Sequence, residues 1–467
     1  MNKRIIPIIT VMVVALSMQS CFVAKNYSRP ETEVLSEELF RTDMMPKDSI
    51  SMADISWRKL FTDAQLVQHI ETGLQNNIDI RVALQQIEAA HAYYRQGKAG
   101  YFPTLNVQTQ VTHQELSKNS QFGAFFDGGI TQFDLSGTLS WEADIWGKIR
   151  STKRASEAAY LQTVAAHKAV TTEIVSSISL LYYQLLSLDA QKAIVEKTLV
   201  NRTSSLETTK ALKQAGVLTE VAVQQTEAQL LNAKARLIDL NKQIALTENT
   251  LSILLGHGPR AIVRASLDEQ ELKAPISTGY PAQLLANRPD VMAAEYGLIN
   301  AFEMTNVARS QFYPRLSLSA TGGFQSLELD QWLNLDSFFA NFVGNLAQPL
   351  LNGRKIRTQH EVAKAQQEMA LLRFKQQLLT AGKEVSDALY SYQAANEKIT
   401  IKEQEYQAYD KATTYSEALL NNGMANYLEV LTARENALNA EMVLASTKLE
   451  KLQSVVTLYK SLGGGWR

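Results

Sequence analysis

Six histidines, a single cysteine and a few closely spaced acids are the residues of this chain that could carry chemistry. His69, His91, His113, His167, His257 and His360 show no metal-ligand spacing among themselves, and no second thiol stands near Cys21 to complete a set. His91 lies in a helical stretch and reads as a surface residue. Glu142 and Asp144 are two apart, which on a strand puts both carboxylates on one face. They could share acid–base work, but their polar surroundings fit better with the wet rim of a lumen. Gly463-Gly-Gly465 has no helix and no Lys-Ser/Thr after it, so it is no phosphate loop and reads as a flexible tail. No catalytic residue, metal site or bound cofactor is expected, and the chain is not expected to be an enzyme.

Bulk composition narrows the field further. Lysine and arginine total 46 against 47 acids, for a net charge of -1, which leaves no basic face for nucleic acid. With 45% hydrophobic and 20% charged residues, the composition is ordinary for a globular protein. The 467 residues suffice for two or three domains or for one elongated unit. Beyond the extreme N-terminus no apolar run reaches the roughly 18 residues that cross a bilayer as a helix. A membrane role must therefore rest on strands.

The start reads as a targeting leader over residues 1–20. Lys3 and Arg4 form its basic end, Ile5 to Ser17 its apolar core, and Met18-Gln19-Ser20-Cys21 its cleavage site. As the only cysteine, Cys21 cannot form an internal disulfide, so acceptance of a covalent lipid is its most economical use. An ordinary secretory leader with an incidental cysteine is the alternative. One lipidated terminus attaches a protein only modestly, so something else should hold it at the membrane.

The elements come in duplicate. Gly100-Tyr-Phe-Pro-Thr-Leu105 returns as Gln311-Phe-Tyr-Pro-Arg-Leu316, with the prolines 211 positions apart. Trp146-Gly-Lys-Ile-Arg150 returns as Asn352-Gly-Arg-Lys-Ile-Arg357, and Ala211-Leu-Lys-Gln-Ala-Gly216 as Ala418-Leu-Leu-Asn-Asn-Gly423, both offset by 207. From Lys148 to Leu255 there is no proline and only Gly216; from Arg354 to Leu462 only Gly382 and Gly423 interrupt. At 1.5 Å per residue such a stretch spans on the order of 100 Å, the length of a coiled coil or extended bundle. Leu438, Met442, Ala445, Leu449, Leu452, Val456 and Tyr459 mark one packing seam at steps of four and three. Val221, Ala228, Leu231, Ala235, Ile238 and Ala245 suggest another.

After each repeated proline the period changes to two. Leu105, Val107, Thr109 and Val111 alternate with Asn106, Gln108, Gln110 and Thr112; Phe133 to Trp141 alternate with Asp134 to Glu142. Leu316, Leu318 and Ala320 alternate with serines. Phe338 to Leu350 carries Phe338, Phe342 and Leu346 on one side and Asn341 and Asn345 on the other. Lys118 to Gly129 and Glu328 to Leu335 read as exposed tips. Such runs suit membrane barrel strands of roughly 9–11 residues, and a soluble sheet with one buried face is the alternative. In a barrel, Asp134, Glu142, Asp144, Asn341 and Asn345 are candidates to face the lumen. Four strands cannot close a barrel, because the smallest single-chain barrels have about eight. Open edges in lipid leave backbone groups unpaired at several kcal/mol each, so copies must pool their strands.

Further segments complete a pattern. Trp57-Arg-Lys-Leu-Phe61, Leu74-Gln-Asn-Asn77, Tyr101-Phe-Pro103, Ser140-Trp-Glu-Ala-Asp-Ile-Trp-Gly147, Leu284-Leu-Ala-Asn-Arg-Pro-Asp290, Gln348-Pro-Leu350 and Leu458-Tyr-Lys-Ser-Leu-Gly-Gly-Gly-Trp466 follow in order. With them nearly the whole mature chain resembles the TolC-like outer-membrane efflux factors, in their lipoprotein branch. The resemblance implies a mostly α fold with a small β part: a long coiled-coil helical barrel continued by a transmembrane β-barrel. It implies a homotrimer giving four strands per protomer to 12. It implies an outer-membrane location reaching into the periplasm, and a periplasmic adaptor and inner-membrane RND-type pump as partners. The expected activity is a passive exit duct for drugs, metal ions or other small solutes. A lipid-anchored periplasmic scaffold without a pore, or the channel of a type I protein secretion system, stands as the alternative.

By resemblance, Gly423-Met-Ala-Asn-Tyr-Leu-Glu-Val-Leu-Thr432 holds the inner mouth, with Leu428 as an apolar ring and Glu429 as an acidic one. Plain seam packing of Leu428 and a solvated Glu429 is the other reading. Thr432 departs from the aspartate frequent in relatives, which puts a second acidic ring in doubt. Gly216 and Gly423 are expected to allow tight turns between helices at that mouth. The resulting division is a leader (1–20), a lipidated segment (21–63), a first repeat (64–260, strands about 104–146), a linker (261–285), a second repeat (286–460, strands about 315–350) and a tail (461–467).

Overall fold

The computed structural model describes residues 23–30, 39, 51–121, 128–270, 277–279 and 281–467. The leader and Cys21 lie outside them. Seven helices of more than ten residues and four strands alternate along the described chain: α1 (Ala64–Asn76), α2 (Ile78–Ala99), β1 (Thr104–Gln114), β2 (Ile130–Glu142), α3 (Lys148–Gln214), α4 (Glu220–Leu254), α5 (Pro289–Ser310), β3 (Arg315–Ser326), β4 (Phe338–Ala347), α6 (Lys355–Asn421) and α7 (Tyr427–Ser461). Among the long helices the duplication holds to the residue. Helices α2 and α5 have 22 residues each, α3 and α6 have 67, and α4 and α7 have 35. Strand β4 stops at Ala347, short of Leu350, because Pro349 has no N–H to continue a ladder.

Two compact units divide these elements. One comprises residues up to Pro30, Glu88–Gln162 and Ala294–Arg373. Its sheet runs β1-β2-β3-β4, every pair antiparallel, and the β2–β3 ladder joins the two repeats. Below the ladder, the Trp146 indole N–H donates to the Pro314 carbonyl at 2.7 Å and its ring stacks on Tyr313 at 4.8 Å. Residues 23–30 lie as a strap on α5. The Asn306 amide pairs with both backbone groups of Lys25, at 3.2 and 2.9 Å, and Arg29 grips the Glu295 carboxylate at 2.7 and 2.9 Å.

The second unit comprises Glu31–Ile87, Thr163–Ala293 and Phe374–Arg467. Phe61, Leu66, Ile70, Ile178, Tyr182 and Tyr183 are fully buried in it. Asp63 caps α1 by accepting from the Gln65 and Leu66 amides, and its other oxygen takes the Tyr182 hydroxyl at 2.6 Å. Of the α7 seam, Leu438, Ala445, Leu452, Val456 and Tyr459 are buried, and Met442 and Leu449 are half-buried. On α4 the stripe read from the sequence is not the one buried within the chain. Val221, Leu231 and Ile238 are more than half exposed, while Val223, Thr226, Leu230, Ala233, Leu240, Ile244, Thr247 and Leu251 are buried. Two threonines hide that stripe from a hydrophobic pattern. Each returns its hydroxyl to the carbonyl four residues back at 2.8 Å, so burial leaves no polar group unsatisfied.

The closing glycines also differ from expectation. Gly463, Gly464 and Gly465 are buried, not a free tail. Gly463 and Gly465 take φ of 95° and 105°, a backbone region that a side chain would strain. The turn delivers the Trp466 indole N–H to the Asn287 carbonyl at 3.0 Å and Arg467 to Asp54 and Asn287 at 2.7 and 2.8 Å.

Candidate channel-lining face and helix turns

Register turns the alternating pattern into two continuous faces. Asp134 pairs with Gln110 on one side and Gln325 on the other; Asn341 faces Thr321 and Asn345 faces Ser317. These residues share one face with Gln108, Ser136 and Thr138, and side-chain bonds run along it: Gln108 to Gln110 at 2.8 Å, Gln132 to Asp134 at 2.7 Å, Thr138 with Thr321 at 3.0 Å. The opposite face carries Leu105, Val107, Leu139, Trp141, Leu318, Phe342 and Leu346. Among the described residues no helix covers it: Val107 is 71% and Phe342 82% exposed. No strand in the described residues pairs with the outer edge of β1 or of β4.

Glu142 and Asp144 do not act as a pair. Glu142 ends β2 on the polar face and accepts two bonds from the Lys148 ammonium at 2.9 and 3.0 Å, with Arg315 at 3.9 Å. Asp144 lies beyond the strand and takes the backbone N–H groups of Ile149 and Arg150 at 2.8 and 2.9 Å. It therefore caps α3, whose first amides have no partner within the helix. A capping carboxylate is a correction to the lumen-facing role expected from spacing alone.

In the second unit the helix pairs turn at Gly216 and Gly423. Their φ values are 76° and 70°, and the next amide in each case reaches back five residues, Val217 to Leu212 and Met424 to Leu419, both at 2.9 Å. This is the left-handed closing turn that glycine serves best. Asn426 then opens α7 by accepting the Glu429 amide at 3.0 Å. Leu428 is 56% exposed and Glu429 is exposed beside it. The Thr432 hydroxyl is engaged with the Leu428 carbonyl at 2.9 Å. Across the first turn, the hydrogen bond from Lys213 holds the Glu220 carboxyl below its usual range.

A polar network near these turns escaped the sequence reading. The buried Arg202 donates to the Gln229 carbonyl and to Glu435, both at 2.5 Å, and Arg236 reaches the other Glu435 oxygen at 3.4 Å. Arg434 links Glu417 at 2.8 Å to the Ser205 hydroxyl at 2.5 Å. The Tyr427 hydroxyl lies 3.1 Å from Thr209 and 2.8 Å from Thr226. The network thus ties α3, α4, α6 and α7 together. The available signal was an arginine on a helix otherwise read as packed, since a buried guanidinium demands an acid. Farther along, burial pushes the Glu441 carboxyl above its usual range, with Lys197 opposing.

Among the described residues no three His, Cys, Asp or Glu side chains gather as a metal site, and no helix is long and apolar enough to cross a membrane. Comparison with known proteins fits the two-faced sheet and the paired long helices. The chain is 29% identical over 421 residues to the solvent efflux pump outer membrane protein SrpC of Pseudomonas putida, covering 90% of this chain and 89% of that one. It is 27% identical over 458 residues to the cation efflux system protein CusC of Escherichia coli, covering 97% and 98%. Its fold is similar to that of the outer-membrane channel OprN, with a TM-score of 0.88 and 25% identity over 96% of this chain and 100% of that one. A family model described as outer membrane efflux protein matches residues 70–257 and 280–464, and the chain belongs to that family of outer-membrane efflux channels.

Proposed function

We propose that three copies of this chain pool their strands into a 12-stranded barrel, forming the exit duct of a tripartite efflux system. The observation that carries the reading is the sheet with an uncovered apolar face and two unpaired edges. In water that face would expose aromatic and branched side chains over three ladders. In lipid it is solvated, provided the edges are joined. A soluble scaffold would leave the face without a partner. The polar face then lines a wet lumen, with Asn341, Asn345, Asp134 and Glu142 on it.

The names of the relatives support outward transport, and the chain's own residues suggest how it is regulated. Leu428 and Glu429 stand exposed at the start of α7, next to the Gly423 turn. Three copies of each would make an apolar constriction and an acidic ring at the inner mouth. The bonds of Arg202, Arg434 and Tyr427 would hold the helix pairs in that closed arrangement. An inner-membrane RND-type pump supplies the energy and a periplasmic adaptor docks at the helix turns. A covalent lipid on Cys21 adds an anchor, and the strap of residues 23–30 ties the adjoining chain to α5.

Purified protein in planar bilayers tests the duct. Heat-modifiable trimers and ion conductance are expected, with larger currents for Leu428→Ser and an altered cation response for Glu429→Ala. A soluble monomer without conductance sinks the duct; unchanged currents in both variants sink the gate. Loss of labelled palmitate in Cys21→Ala, with retained trimers, is the expected result for the anchor.

A further inference from the structure

Only four residues in the four strands can ionise: His113, Asp134, Glu142 and Arg315. His113 falls on the apolar face by register, opposite Thr131. Glu142 is countered at the strand base by Lys148 at 2.9 Å and Arg315 at 3.9 Å. Asp134 is different. Its cross-strand neighbours are Gln110 and Gln325, and among the described residues the side chain that bonds it is the neutral amide of Gln132 at 2.7 Å. Eight residues of strand separate it from Glu142, roughly 27 Å at about 3.4 Å per residue. That is more than three Debye lengths at about 8 Å in physiological salt, so the cations at the strand base do not screen it.

We propose that Asp134 is the uncompensated charge of the strand-built lumen and gives the barrel a preference for cations over anions. The proposal rests on the duct reading, which turns one carboxylate into a ring of three at one height. An acidic ring raises the local concentration of cations and depletes anions. Apart from the Glu142, Lys148 and Arg315 cluster at the strand base, the rest of the polar face, amides and hydroxyls such as Asn106, Gln108, Thr138 and Asn341, is neutral and sets no sign. On the exposed connections outside the ladder, Glu328, Asp330 and Asp336 add charge of the same sign between β3 and β4, while Glu115 offsets Lys118 between β1 and β2. The selectivity of the duct therefore does not lie wholly at its inner mouth.

Reversal potentials across a KCl gradient test this in planar bilayers, with Leu428→Ser/Glu429→Gln as the parent so that the inner mouth is open and uncharged. At about 0.15 M salt, where a Debye length of about 8 Å keeps the strand-base cations apart from Asp134, the parent is expected to prefer potassium. Adding Asp134→Asn should cut the cation-to-anion permeability ratio by roughly twofold or more, and Asp134→Lys should drive it toward chloride. Asp134→Glu should keep the parent value. A parent without cation preference overturns the proposal, as does an Asp134→Asn channel with the parent's reversal potential. Equal shifts in the Asn and Glu variants overturn it too, because they indicate a change of shape and not of charge. Absence of any conductance in the parent strikes at the duct reading instead.

Discussion

Arg202 shows how much one side chain can commit. The residue is 5% exposed, and its guanidinium depends on Glu435 and the Gln229 carbonyl for partners. Removing Glu435 strands a buried cation, at a cost on the order of 2 kcal/mol or more. Glu435→Ala is therefore expected to lower the melting temperature. The double variant Arg202→Met/Glu435→Leu should recover most of the loss, since no charge is left unpaired. Bilayer currents add a second readout: if the pair helps to hold the inner mouth shut, the double variant melts near wild type yet conducts more. A double variant as unstable as the single would show that the cost is packing and not charge. None of this was legible from spacing. Helix periodicity reports apolar positions, whereas Arg202 meets Glu435, and Tyr427 meets Thr209 and Thr226, only because the fold brings positions more than 200 apart in sequence together. The same blindness explains Asp144, whose partners are backbone amides of a helix start that no side-chain pattern displays.

At the scale of elements the sequence was more forthcoming, for reasons that can be named. Breaker-free stretches around a lone glycine leave few options besides long helices, and Gly216 and Gly423 fall where the left-handed turn demands them. Gly423→Val places a branched side chain at a φ of 70° and should destabilise the turn by about 1 kcal/mol or more. No atom stands within 4 Å of an added Cβ, so the cost is conformational and not steric. A matching loss in Gly216→Val, measured by hydrogen exchange at the two turns, is the expected result; full protection in both variants refutes it. The tail was misread because a glycine run signals flexibility only when the residues after it have nothing to bind. Here Trp466 and Arg467 have receptors in Asn287 and Asp54. Deleting residues 463–467 should expose the end of α7 to limited proteolysis, whereas Arg467→Lys should leave it protected.

For the whole molecule, register is the property that decides whether the sheet can live in lipid, because a slip of one residue exchanges every side chain between faces. Adjacent positions on β4 therefore make a direct comparison. Phe342 lies on the apolar face opposite Ala320, and its neighbour Asn341 lies on the polar face opposite Thr321. Arginine facing the bilayer midplane of a barrel costs about 2–4 kcal/mol, while one facing the lumen can stay hydrated. In a trimer each penalty enters three times, about 6–12 kcal/mol in all, a sum comparable with the stability of an ordinary domain. Phe342→Arg is expected to leave few heat-modifiable trimers in the outer-membrane fraction, with the helices still giving their far-ultraviolet signal. Asn341→Arg should assemble and shift conductance toward anions. The ordering is the informative part. Equal tolerance of both substitutions would mean that neither face meets lipid, and equal failure would mean that β4 is packed on both sides. A sheet whose apolar face is solvated by hydrocarbon separates two neighbouring residues sharply, and the membrane fraction in which the Asn341→Arg trimers are found tells it from a sheet buried in water.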